Sequence, residues 1–359
     1  MSKSILALLI AAHNEELVIE RTINSAIEAG MKPEHIYVVD DNSSDTTSRL
    51  VKQILPKVNV MKVRRSGKGL ALKKATKKFE LTDKYRWIHI ADADGAFASN
   101  YFYVFRRDLR IKYAAATGYV RSFPGKRVSE YRVFEYTMGM ELHRRLQTLL
   151  HVVPVIPGPT SCFRADVFKQ VDFDNRSLTE DFDVTLQLHR KKLGKVQFIP
   201  KAVAYTQDPL TIKEYTRQIT RWNRGGLQSM MRYKIGRSMT RIDAYLSYQI
   251  LQNLLFFFSY LIFVPYLALI RHSTSVIASA FIVDVMITFI LNAFVAIRSR
   301  RADVISAFPH VYFLRWVSLA VFLRAFFEVI ILRKFRNSNG IWDNSRYVMD
   351  SELQPKKLA

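Results

Sequence analysis

The chain predicts an α/β domain with a mainly parallel sheet, followed by amphipathic helices and an apolar helical region. Three observations carry that reading. Apolar runs of strand length alternate with helical patterns through the N-terminal part of the chain. Polar and acidic clusters fall at the ends of those runs. Long hydrophobic segments fill the last third.

In order, Ile5 to Ala12 is an unbroken apolar run, as a strand buried on both faces would be. A short signal peptide is the competing reading of Lys3 and that run. It passes directly into His13-Asn14-Glu15-Glu16 and a helical pattern, which favours the strand. Glu15 to Ala29 has helical spacing and stops at Gly30. His35 to Val39 is a second strand, Asp45 to Leu55 a helix, Val58 to Val63 a third strand, and Lys68 to Phe79 a helix. Trp87 to Ala91 is a fourth strand. Val184 to Lys192 reads as a helix and Val196 to Ile199 as a strand, and Phe123 to His151 contains a helical stretch whose apolar stripe suits core packing or, as the competing reading, the flank of an acceptor site.

In such sheets ligands sit beyond the carboxyl ends of the strands. Asn14-Glu15, Asp40-Asp41 and the pair Asp92 and Asp94 stand at those ends. Asn14 and Asp45 also suit helix caps, and Asp40 to Ser44 a polar turn. Asp92 and Asp94 repel one another unless a cation or donors compensate them, and a divalent ion shared with a diphosphate would do so. Ser66-Gly67-Lys68-Gly69 opens a Lys-rich helix and reads either as a diphosphate contact through Lys68 or as a solvated basic turn. Further on, Thr179-Glu180-Asp181 precedes a helix. Gln218, Arg221 and Trp222 stand at i, i+3 and i+4 on one helical face.

The net charge is +23, from 54 Lys+Arg against 31 Asp+Glu. It favours an anionic partner, and with the apolar C-terminal third it points to acidic lipid and phosphate rather than nucleic acid, for which there is no supporting motif. The single cysteine, Cys162, rules out an intrachain disulfide and has no evident His partner that would make it a nucleophile.

Taken together, Ala12-His13-Asn14-Glu15-Glu16, Val38 to Asp45, Asp92-Ala93-Asp94, Thr179-Glu180-Asp181 and Gln218-Ile219-Thr220-Arg221-Trp222 resemble the membrane-bound branch of the inverting family 2 glycosyltransferases with a GT-A, Rossmann-like fold. That branch includes the cellulose, chitin, hyaluronan and poly-N-acetylglucosamine synthases. The likeness extends over residues 5 to 226, with Ala11 where many members have proline and Asn42 where many have glycine. It implies that Asp41 binds the nucleotide base, that Asn14 and Glu15 shape its pocket, and that Asp92 contacts the nucleotide. It further implies that Asp94, with Asp92, holds Mg²⁺ or Mn²⁺ on the diphosphate. Asp181 would be the general base, Glu180 its support, and Gln218, Arg221 and Trp222 the closing elements near diphosphate and acceptor. The implied donor is a nucleotide-diphosphate sugar, a UDP-sugar above all. The implied acceptor is a growing β-linked polysaccharide, with single transfer to a lipid and a non-catalytic nucleotide-sugar receptor as rival readings.

The expected domains are a cytoplasmic catalytic domain at 1–207, interfacial helices at 208–243, a transmembrane region at 244–335 and a polar tail at 336–359. Ile212, Tyr215, Ile219 and Trp222 form an apolar stripe beside Lys213, Arg217, Arg221 and Arg224, as an interfacial helix on anionic lipid would show. Gly225-Gly226 is expected to break that helix. Hydrophobic segments at 244–270, 274–297 and 306–332 are long enough to cross a bilayer. Arg298, Arg300 and Arg301 place the end of the second on the cytoplasmic side of a cell membrane. The third carries Pro309, Arg315, Arg324 and Glu328, so its path stays open, and association of chains would widen so thin a membrane region.

Overall fold

The computed structural model describes residues 4–123, 128–173 and 177–335. The expected polar tail at 336–359 lies outside them. The first strand, β1 (Ser4–Ala12), leads through α1 (Ile19–Glu28), β2 (Ile36–Asp40), α2 (Thr47–Ile54), β3 (Val60–Lys62), α3 (Lys68–Lys78) and α4 (Leu81–Lys84) to β4 (Tyr85–Asp92). There follow β5 (Ala96–Phe97), α5 (Tyr101–Asp108), β6 (Ala115–Ser122), α6 (Val128–Met138), α7 (Arg144–Leu150), β7 (Ser161–Arg164), α8 (Ala165–Phe168), α9 (Glu180–Arg190) and β8 (Val196–Thr206). A π turn at Gly139–His143 joins α6 to α7.

The eight strands form one sheet in the order β3-β2-β1-β4-β7-β6-β8-β5. The first four strands read from the sequence pair in parallel. Beyond them the sheet is mixed: β7 runs antiparallel to both β4 and β6, and β5 antiparallel to β8. β6 and β8 are again parallel to each other, so the expected mainly parallel sheet is a mixed one in which four of the seven neighbouring pairings are parallel. The sequence reading does not show β6, whose Ala-Ala-Thr-Gly stretch has little intrinsic strand preference. A Cβ on Gly118 would come within 2.6 Å of the Ala202 carbonyl and 3.1 Å of the Tyr101 hydroxyl. Pairing with β7 and β8, not propensity, makes this a strand, and the close approach at Gly118 leaves no room for a side chain.

Alternate side chains of β1 enter opposite cores. Leu6, Leu8 and Ile10 pack under α1, α2 and α5, while Ala7, Leu9 and Ala11 pack under α3, α8 and α9. Both faces of β1 are thus dry, which explains why its sequence is apolar without alternation.

The C-terminal part consists of α10 (Ile212–Arg232), α11 (Arg241–Phe258), α12 (Val264–Ile270), α13 (Ser275–Ser299), α14 (Asp303–Ser306) and α15 (Phe308–Phe326). Contrary to expectation, α10 runs unbroken through Gly225 and Gly226. These glycines do not stop the helix; Gly225 brings it close to its neighbour. A Cβ there would lie 2.6 Å from Thr179 Oγ1, whereas one on Gly226 would meet nothing within 4 Å. α10 starts from a capping box in which the Thr211 hydroxyl accepts from the Glu214 amide and Glu214 accepts from the Thr211 amide.

Two helical stretches are long and apolar enough to cross a membrane, Arg241–Ile270 and Ser275–Ser299. Little of their most apolar windows is covered by the rest of the molecule, 6 % and 28 %. The third hydrophobic segment behaves differently. α15 lies along α10, and Val311, Leu314 and Val321 share a core with Tyr131, Tyr215 and Ile219. Its charges are paired: Arg315 with Asp284, and Glu328 with both Arg224 and Arg324.

The close seat of Gly225 on Thr179 predicts that Gly225→Ala lowers stability by about 1–3 kcal/mol through overpacking. Gly226→Ala should leave stability unchanged or raise it by up to about 1 kcal/mol through helix propensity. Thermal unfolding of the two detergent-solubilised variants would separate them.

Candidate active site

The site is assembled where β1, β2 and β4 end. α1 fixes the turn after β4: Thr22 Oγ1 lies 2.7 Å and 2.8 Å from the carbonyls of Ala93 and Gly95, and Arg21 donates to the Asp94 carbonyl. A Cβ on Gly158, just before β7, would lie 2.5 Å from the Asp92 carboxylate, so the backbone there approaches Asp92 directly.

Asp41 is fully buried. Its carboxylate accepts from the backbone amides of Ser66 and Gly67, both at 2.7 Å, and pairs with Arg65 at 3.3 Å. It thereby pins the loop that launches α3, with Gly67 at φ +84° serving as the cap. Asn14, at φ 54°, is not a helix cap. Its side-chain oxygen accepts from the Ser44 amide and so ties the first loop to the second.

Lys68 opens α3. Its Nζ lies 2.6 Å from Asp92 and 2.5 Å from Glu180, an ion triad that joins strand end, loop and α9. In this structure its charge meets the two carboxylates at the edge of the cavity. Burial alone would lower its pKa, but Asp92 and Glu180 hold it above the usual lysine range. Burial likewise pushes Glu180 up, yet Lys68 outweighs that and holds it below the ordinary glutamate range. Asp181 is different. Burial, reinforced by the charge of Glu180, lifts it to about 6. Its carboxylate accepts only the amide of Phe182 among the described residues, and no cation pairs with it. Two adjacent acids in the first turn of α9 thus titrate far apart, the pattern expected of an acid/base site.

On α10, Arg221 donates to the Leu178 carbonyl just before this turn. Gln218 and Trp222 both meet Arg132 of α6: Gln218 Oε1 accepts from its guanidinium, and the Trp222 ring lies 4.6 Å from it. One cavity of about 590 Å³ brings the predicted residues together: Glu15, Lys68, Asp92, Asp94, Glu180, Asp181, Gln218, Arg221 and Trp222. Asn14 and Asp41 do not line it; they hold loops. Cys162 is buried in β7 and its thiol is pushed up by burial, as a structural cysteine should be.

The sequence reading missed two residues. Asp208 lines the same cavity and is lifted to about 7 by burial. Its position directly after β8 and before Pro209, another acid at a strand end, was the available signal. Arg132 carries no such signal, because only the packing of α6 on α10 brings it to Gln218.

The donor set suits a hard divalent ion. Burial, opposed by Lys68 and reinforced by Asp94, holds Asp92 above the usual aspartate range, so added positive charge would be stabilised there. Among the described residues no three His, Cys, Asp or Glu side chains form a complete cage. Two carboxylates with the remaining positions open to phosphate oxygens and water is how Mg²⁺ or Mn²⁺ is ordinarily held.

Lys68→Met would leave two part-buried carboxylates uncompensated. The expected loss is about 2–3 kcal/mol at pH 7, the figure for a broken buried pair discounted for partial exposure. The loss should shrink toward pH 5, as carboxylates raised by the mutation take up protons in the folded state. Denaturant titrations at both pH values measure it.

Residues 4–225 match the family described as Glycosyltransferase like family 2. The probable glycosyltransferase YdaM of Bacillus subtilis (strain 168) is 25 % identical over 273 residues, covering 72 % of this chain and 62 % of that protein. The poly-beta-1,6-N-acetyl-D-glucosamine synthase of Staphylococcus epidermidis is 26 % identical over 239 residues, covering 63 % and 56 %. The chain therefore spans a little over half the length of these curated relatives. In fold it is similar to a mannosyltransferase from Pyrobaculum calidifontis solved with GDP-Man and Mn²⁺, at a TM-score of 0.54 and 13 % identity over 90 % of this chain and 88 % of that one. With its strand-end acids, its Thr-Glu-Asp turn and its Gln-x-x-Arg-Trp helix around one cavity, the chain belongs to glycosyltransferase family 2.

Proposed function

We propose that the protein is a membrane-bound inverting glycosyltransferase that moves a sugar from a UDP-sugar to an acceptor hydroxyl, extending a β-linked polysaccharide. The observation that carries this reading is the separation of Glu180 and Asp181: one carboxylate is committed to Lys68, the other is unpaired and raised to about 6 within the cavity. A base poised near the working pH is effective in proton transfer. The receptor reading has no use for it.

In the proposed reaction the acceptor oxygen attacks the anomeric carbon as Asp181 takes its proton. The bond from that carbon to the diphosphate breaks, and the configuration inverts. Arg221, at the same cavity, offers a planar fork suited to phosphate oxygens. Glu180 and Lys68 hold the first turn of α9 in place, and Trp222 offers a ring face to a sugar. Asp94 with Asp92 would hold Mg²⁺ or Mn²⁺, whose chemistry is neutralisation of charge on the leaving diphosphate.

Extension of a polymer is supported by the similarity to a poly-beta-1,6-N-acetyl-D-glucosamine synthase. A membrane location, with the catalytic domain on the cytoplasmic side, is supported by the two exposed apolar helices and by Arg298, Arg300 and Arg301 after the second.

With a panel of UDP-sugars and Mg²⁺ or Mn²⁺, the wild type should release UDP and Asp181→Asn should lose about 10²–10⁴-fold in kcat. A chelator should abolish the activity, and added metal should restore it. The base works as a carboxylate, so kcat/KM should fall about tenfold per pH unit below about 6 and level off above it. Full activity in Asp181→Asn would refute the assignment. Sizing the product decides the acceptor: a ladder supports polymer extension, and a single lipid-linked product replaces it with one-step transfer.

A further inference from the structure

Arg132 is 1 % exposed, sits on a different helix from the Gln-x-x-Arg-Trp motif, and engages two of its members at once. One guanidinium nitrogen donates to Glu135 at 2.8 Å and another to the side-chain oxygen of Gln218. Its planar face is flanked by the rings of Trp222 at 4.6 Å and Tyr215 at 4.8 Å. Glu135 in turn accepts from the Tyr215 hydroxyl at 3.1 Å, and that hydroxyl lies 2.6 Å from Ser318 of α15. A buried arginine with a carboxylate, an amide and aromatic faces around it has little freedom to move.

This arrangement has a chemical consequence. An amide whose oxygen is held by a guanidinium must turn its NH₂ group away from it. Gln218 lines the cavity, so its N–H donors are the polar atoms left to serve it. Trp222, stacked against the guanidinium on one side, is 36 % exposed and keeps ring surface for a ligand. We infer that Arg132 is a positioning residue that sets Gln218 as a hydrogen-bond donor and Trp222 as a stacking face, so that α10 recognises an oxygen-bearing sugar ring. Arg132 itself is too buried to touch the ligand. The inference rests on the transfer reading above and deepens it by naming what orients the Gln and Trp of the motif.

The test uses the full chain in detergent, with Arg132→Met, Arg132→Lys, Gln218→Glu and Trp222→Phe. Arg132→Met should shift the indole emission in the wild-type background and not in the Trp222→Phe background. It should lower kcat/KM for the acceptor about tenfold or more while UDP affinity stays within about twofold, with Arg132→Lys falling between. Gln218→Glu keeps an acceptor for Arg132 but has no N–H to offer the cavity. It should melt no lower than wild type and still lose turnover. Unchanged emission in Arg132→Met, or wild-type acceptor kinetics in a folded Arg132→Met or Gln218→Glu, would overturn the assignment. Absence of turnover in the wild type itself would overturn the transfer reading, while the emission experiment still decides whether Arg132 holds Trp222.

Discussion

The bridge from Lys68 to Asp92 and Glu180 is the interaction on which the site depends. It joins three segments far apart in sequence: the end of β4, the start of α3 and the first turn of α9. Each carboxylate would be costly where it stands without that cation. The cation stands there because Asp41, buried beneath it, fixes the loop from Arg65 to Gly67 through two backbone amides. The bridge also sorts the acids. With Glu180 committed to Lys68, Asp181 beside it has no ion pair of its own among the described residues, and burial together with the charge of Glu180 raises it to about 6.

The second constraint is the seat of α10. Thr179 immediately precedes the acidic turn, and Gly225 is the point at which α10 touches it. Arg221 bonds to the carbonyl of Leu178 from the same helix. The two motifs are therefore locked as a pair by a glycine that a sequence reader takes for a helix breaker. On the opposite side α10 rests on α6 and α15 through Tyr131, Tyr215 and Ile219. The apolar stripe expected to face lipid is thus largely spent on protein. Tyr215 is fully buried and Ile219 nearly so, and only Ile212 and Trp222 retain substantial exposure.

The same packing resolves the charges of the third hydrophobic segment. Arg315 and the Tyr312 hydroxyl both donate to Asp284, and Arg224 and Arg324 share Glu328. Charges within apolar helices are tolerated when they are paired inside a bundle. Here they tie the third hydrophobic segment to α13 and α10, while the most apolar windows of Arg241–Ile270 and Ser275–Ser299 remain mostly uncovered.

The sequence by itself determined the elements whose signals are local. The apolar run of β1, the strand-helix alternation up to Asp92, and the acids at strand ends all report burial and chain reversal within a few residues. So does the i, i+3, i+4 spacing of Gln218, Arg221 and Trp222. Together they made the α/β class and most of the cavity legible. Tertiary structure decided the rest, because the deciding contacts span long stretches of chain. Ala115 to Gly118 is a strand because β7 and β8 pair with it on either side. Lys68 is a structural cation only because Asp92 and Glu180 converge on it. Gly225 lies within a continuous helix at a point where Thr179 leaves no room for a side chain, and Arg132 reaches Gln218 only when α6 meets α10. Periodicity records which face of an element is buried; it carries no record of which distant group lies opposite.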